Sequence, residues 1–87
     1  MRLRWPDALD DAARTAATDA EAVRARELAA TGTLVKLWRV PGERANWGIW
    51  SAPDTDSLHA ALTSLPLWPW CRVTVHPLAR HPNDPQR

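Results

Sequence analysis

Glu21 is a carboxylate that helical spacing sets against apolar neighbours, a setting that suits moving a proton. Read as helix, its neighbours one and two turns away are Ala17, Ala25 and Leu28, so its side chain borders apolar surface. Desolvation disfavours the charged form and raises a carboxylate pKa toward the range a proton shuttle needs. The same residue ends the run Thr18-Asp19-Ala20-Glu21, a capping-box pattern in which it would turn back on Thr18 at a helix start. A helix beginning there would leave the periodic residues from Leu9 onward unused, which favours the proton-shuttle reading. Glu27, close to Arg24 and Arg26, reads instead as a solvated ion-pair residue.

The stretch Leu34 to Trp50 sets cations among aromatic rings. Arg39 offers a planar fork that fits a carboxylate, or a structural pair with Glu43. Lys36 is a second cation on the same run. Asn46 can donate to an oxyanion, although an asparagine after a turn also serves as a local backbone cap. Trp47 adds an indole donor. His59, His76 and His81 share no ligand spacing, and the single Cys71 excludes an intrachain disulfide and any multi-cysteine metal site, so no metal is expected.

These residues need elements to position them. Val35, Leu37 and Val40 precede Pro41-Gly42, while Ala45, Trp47, Ile49 and Trp50 follow it, which predicts a hairpin. Lys36, Trp38 and Val40 would share one face and Val35, Leu37 and Arg39 the other. Before it, Asp10 or Asp11 caps a long alanine-rich helix ended by Thr31-Gly32, with Leu9, Ala13, Ala16, Ala20, Val23 and Ala30 as its core stripe. After it, Asp54 caps a shorter helix carrying Leu58, Ala61, Leu62 and Leu65. Pro66 and Pro69 make Leu67 to Trp70 a hydrophobic loop. Arg2 to Trp5 and Arg72 to His76 alternate as short first and last strands. Strand, helix, strand, strand, helix, strand is the ferredoxin-like βαββαβ order, an α+β domain with two helices on one face of a four-stranded antiparallel sheet. The expected organisation is a single domain over residues 1–87, with 78–87 as an extended tail.

Bulk properties narrow the partners. A chain of 87 residues buries only about 60 to 65% of its unfolded surface, which makes a lone subunit marginal and self-assembly plausible. Six Trp with no Phe or Tyr need a core, an interface or a ligand. A net charge of +1 gives no broad field toward nucleic acid or an anionic membrane. No run reaches the roughly 20 apolar residues of a membrane span, and Met1-Arg2-Leu3-Arg4 is not followed by a signal-peptide core, so the expectation is a cytoplasmic protein.

The segment KLWRVPGERANWGIW, then Pro53, Leu58-His59, Leu65-Pro66-Leu67-Trp68-Pro69-Trp70 and Arg80-His81-Pro82, closely resembles the muconolactone Δ-isomerase family. That family's pattern reads LWR, then GxxAN before an aromatic residue, then LH, LPL-aromatic-P-aromatic and RHP, and the match runs from about Glu21 to His81 in register. The resemblance implies a cofactor-free intramolecular isomerase of aromatic-compound catabolism, on the route to 3-oxoadipate. It would shift a C=C bond in a small lactone carboxylate, muconolactone to 3-oxoadipate enol-lactone. It implies Glu21, which stands before Gly32 as the family's helix glutamate does, as the catalytic base, with Arg39, Lys36, Asn46 and Trp47 binding substrate. It further implies a dimeric α+β barrel that assembles as a homo-oligomer, a dimer or a larger ring such as a decamer.

This sequence departs from the family in places. Lys36 stands where many members carry histidine, and Trp47 where tyrosine is usual, changes that bear on the substrate. Members also carry several more residues before the position of Met1, so the first strand reads as truncated and the expectation is that Met1 is an internal methionine. Two other functions fit the same residues. A cofactor-free monooxygenase of the dimeric α+β barrel class would use Asn46, Trp47 and Trp50, and a non-catalytic oligomeric binding module would turn nothing over. An RNA-binding role lacks the basic and aromatic surface that stacks bases.

Overall fold

The computed structural model describes residues 1–86; Arg87, the last residue of the expected 78–87 tail, lies outside them. Its elements are β1 (Arg2–Leu3), α1 (Asp11–Ala30), β2 (Leu34–Arg39), β3 (Asn46–Trp50), α2 (Thr55–Thr63) and β4 (Cys71–Arg72), with a 3₁₀ turn at Trp68–Trp70. β1 pairs antiparallel with β4, and β2 with β3. An Arg2–Ala45 bridge joins the two ladders, flanked by bonds from the Leu3 N–H to the Arg44 carbonyl and from the Asn46 N–H to the Met1 carbonyl. The spatial order is therefore β4, β1, β3, β2, the ferredoxin-like arrangement expected from the element order.

α1 starts where an aspartate can satisfy its free amides: the Asp10 carboxylate accepts from the Ala13 N–H at 2.8 Å. It ends at Gly32, whose φ of 80° is the left-handed turn that glycine adopts without strain. Thr18 lies inside this helix and donates back to the Arg14 carbonyl, so it starts nothing and no capping box forms. The buried stripe differs from the expected one. Ala16, Ala20 and Ala30 are exposed and Val23 is 51% exposed, while Ala13, Ala17, Glu21, Ala25 and Leu28 turn inward. Leu28 decides this rotation, because a leucine buries far more apolar area than the alanines that outnumber it.

Leu28 meets Ala61, Leu62 and Leu65, and Leu34, Trp50, Leu58, Trp68, Met1 and Val73 pack around them. Asp54 caps α2, accepting from the Ser57 N–H at 2.7 Å. In the hairpin, Trp38 faces Trp47, Leu37 faces Gly48 and Arg39 faces Asn46, as the alternation requires, but Val35 sits in an irregularity between Leu34 and Lys36.

The first and last strands are both shorter than their alternation suggests. β1 stops at Leu3 because Trp5 turns to stack on Trp70, ring centroids 5.4 Å apart. β4 stops at Arg72, short of the expected His76, because β1 offers Val73 to His76 no further ladder to join. The proline-bracketed loop is not featureless either. Pro69 sits inside the 3₁₀ turn, where a missing N–H costs little, and the Trp70 N–H closes on the Leu67 carbonyl at 3.0 Å.

Candidate active site

Glu21 points from the middle of α1 at the loop after α2. The backbone N–H of Leu67 donates to its Oε1 at 3.0 Å. Burial pushes the Glu21 carboxyl above the usual glutamate range, and the Leu67 N–H pulls it partly back. The contact also holds the carboxylate in place. Cys71 is close enough to feel it: burial first, then the Glu21 charge, raise the thiol pKa, while the terminal amine of Met1 lowers it. Met1 itself is fixed by its terminal amine donating to the Asn46 carbonyl at 2.9 Å.

Beyond Met1 opens a cavity of about 840 Å³. β3 supplies one wall with Asn46, Trp47, Gly48 and Trp50, α2 supplies Leu58 and Leu62, and Arg72 to Leu78 supply the other wall. Gly48 keeps this wall open: a Cβ there would lie 2.9 Å from the Trp50 Nε1. Indole rings and alkyl groups beside Asn46 make a site for a flat, mostly apolar molecule with a few polar edges.

Of the residues singled out in the sequence, Asn46 and Trp47 line this cavity together. Glu21 does not border it in a single chain, nor do Lys36 and Arg39. Lys36 lies over the Trp38 ring, its Nζ 5.7 Å from the centroid. Glu43 pairs with Arg2 at 2.8 Å rather than with Arg39, because Arg2 lies beside Ala45 in the neighbouring strand. Glu27 pairs with Arg24 at 3.8 Å, as a solvated residue should. His59 packs edge-on against Trp68 at 6.1 Å.

Sequence reasoning missed Arg2, Arg72 and Gly48 as cavity residues. The two-residue strands hide Arg2 and Arg72, since only the register shows which side chains they bring together. Among the described residues, no group of three or more His, Cys, Asp or Glu is placed to hold a metal ion, and no helix is long and apolar enough to cross a membrane.

A four-stranded antiparallel sheet in the order β4, β1, β3, β2, backed by two helices, one of which carries a half-buried glutamate, defines a ferredoxin-like α+β subunit. The family model for muconolactone delta-isomerase matches residues 1–84. The chain belongs to that family of isomerases. It is 41% identical over 64 residues to a muconolactone Delta-isomerase of Cupriavidus pinatubonensis, covering 74% of this chain and 70% of that one. With a muconolactone Delta-isomerase of Rhodococcus opacus it shares 32% over 84 residues, 97% of this chain and 90% of the other. A crystal structure of muconolactone isomerase superposes with a TM-score of 0.87 at 33% identity, covering 97% of this chain and 88% of that chain.

Proposed function

We propose that this protein converts muconolactone to 3-oxoadipate enol-lactone by proton transfer without a cofactor, with Glu21 as the catalytic base. The observation that carries this reading is the half-buried Glu21, raised in pKa and oriented by the Leu67 N–H, in a chain whose relatives bear that activity in their names. Glu21 lies outside the cavity of a single chain and is proposed to meet the substrate in the assembled protein. There it takes a proton from one ring carbon, charge spreads through a dienolate onto the lactone oxygen, and the protonated Glu21 returns the proton two carbons away. A carboxyl with a raised pKa suits both halves, because it gives the proton back as readily as it takes it.

Asn46 and Trp47 are the proposed donors and wall of the substrate site, which their place in the cavity supports. Lys36 and Arg39 are proposed to hold anionic substrate from the hairpin when a second copy covers it. Val35, Trp38, Trp47 and Ile49 leave that hairpin with an exposed apolar surface, Trp47 being 67% exposed, which supports a homo-oligomer, a dimer or a larger ring. The proposed location is the cytoplasm.

The test is turnover of muconolactone by the purified protein and its Glu21→Gln variant. The reading predicts a loss of roughly a hundredfold to ten-thousandfold in kcat. Equal rates in the two proteins would remove Glu21 from the chemistry, and an inactive but folded wild type would remove muconolactone as the substrate.

A further inference from the structure

Two arginines face each other across the β1–β4 ladder, and only one of them has a carboxylate partner. Arg2 and Arg72 are direct register partners. Side chains opposed in this way have Cβ atoms about 4.5 to 5.5 Å apart, and like charges there repel. Arg2 is engaged by Glu43 at 2.8 Å. Arg72 has no acidic partner among the described residues. Arg2, Glu43 and Arg72 all line the 840 Å³ cavity, next to Asn46 and Trp47. The cluster therefore leaves Arg72 without a carboxylate of its own, since the other acidic lining residue, Asp54, is engaged in capping α2 through the Ser57 N–H. A small anion bound between the guanidinium groups would offset their repulsion, and the fork geometry of arginine fits a carboxylate with two parallel hydrogen bonds.

We propose that Arg72 is a substrate-binding residue, which takes the carboxylate of a small organic acid lying in the cavity while Arg2 and Glu43 flank it. On the isomerase reading, on which this inference rests, that carboxylate is the acetate arm of the lactone. Lys36 and Arg39 act from the hairpin, whereas Arg72 lies at the cavity of a single chain and, unlike Arg2, has no acidic partner among the described residues. The apolar wall then receives the ring, and the charge at Arg72 sets which end of the substrate faces β4.

The experiment compares Arg72→Gln and Arg72→Lys with the parent protein, using muconolactone and its methyl ester, which lacks the charge. Affinity is read by calorimetry in a Glu21→Gln background, where turnover does not consume the ligand, and KM and kcat are read in the active protein. The expected result is that Arg72→Gln weakens binding of the acid by roughly tenfold to a hundredfold, with KM rising by more than kcat falls, and leaves the ester unaffected. Arg72→Lys regains part of the loss by restoring charge without the fork. The melting temperature of ligand-free Arg72→Gln should equal or exceed the parent's, since a like-charge contact is gone, and this checks that the variant folds. Equal affinity of the acid for parent and Arg72→Gln overturns the proposal, as does an equal loss for acid and ester, or a parent that binds neither. A protein that binds the acid through Arg72 yet never isomerises it would retire the isomerase reading and uphold this one. Normal turnover with an unchanged KM in Arg72→Gln would do the reverse.

Discussion

Leu67 donates its backbone N–H to Oε1 of Glu21 at 3.0 Å, across 46 residues of sequence. Leu67 is held by burial, 8% exposed, and by the 3₁₀ turn that its own carbonyl closes with Trp70. The proline-rich loop is thus a fixed arm that orients the proposed base, and its two prolines limit how far that arm can move.

The first prediction is a pH dependence with a definite sign. Burial raises the Glu21 pKa in the folded protein above its unfolded value. A carboxyl raised in this way contributes most to stability below its unfolded pKa, and the contribution falls as pH rises through the folded value. Thermal melts of wild type and Glu21→Gln across the acidic range should therefore diverge, with wild type losing ground to the variant as pH rises. Activity should move oppositely, because the base must be ionised. The acid limb of kcat/KM is expected above the ordinary glutamate value of 4.5. Parallel melting curves would show that Glu21 titrates as an ordinary surface residue.

Glu21→Asp isolates position from charge. It keeps the carboxylate and withdraws it by one methylene from the Leu67 N–H. A misplacement of about 1 Å in a reacting group costs on the order of a hundredfold in rate. The expected outcome is a fall in kcat approaching that of Glu21→Gln, with the melting temperature little changed. Full activity in Glu21→Asp would mean that the Leu67 contact does not set the reaction geometry.

The half-buried setting of Glu21 was legible in the sequence because the residue sits amid helical spacings that the Leu28 face makes apolar. The hairpin was legible from Pro41-Gly42 and the residues flanking it, and its register followed except at Val35. What did not show was the helix rotation. Ala16, Ala20, Val23 and Ala30 on one face were outweighed by Leu28 on another, since burial follows area rather than the number of residues. The cavity was hidden for a different reason. Its walls come from β3, α2 and the chain after β4, and contacts so distant in sequence leave no local period to read.

Gly48 carries a packing prediction. A methyl group there would sit 2.9 Å from the Trp50 Nε1 and 3.3 Å from both the Leu37 Cδ1 and the Lys36 carbonyl. Trp50 packs on the central cluster, so its indole cannot swing away without opening a void. Gly48→Ala should cost about 1 to 3 kcal/mol in urea unfolding, in the range of overpacked sites, and should raise KM by narrowing the cavity. A variant as stable as the parent would show that the Trp50 ring has room to yield.

Trp38 and Trp47 are direct cross-strand partners, 48% and 67% exposed, and Ile49 beside them is 48% exposed. Few monomers leave two adjoining indoles open to water on one sheet, because rings of this size dominate interface energetics once buried. The remaining core is thin: Leu28, Ala61, Leu62, Leu65 and Leu67 are its buried apolar residues. Self-association through this face would give the subunit the burial that its own core lacks. The double variant Trp38→Ser, Trp47→Ser is expected to shift sedimentation from oligomer to monomer. Its melting temperature should fall and lose its dependence on protein concentration, which the parent should show. Parent and variant sedimenting as the same oligomer would place the assembly interface on another face, and a monomeric parent would assign the exposed indoles to ligand binding alone.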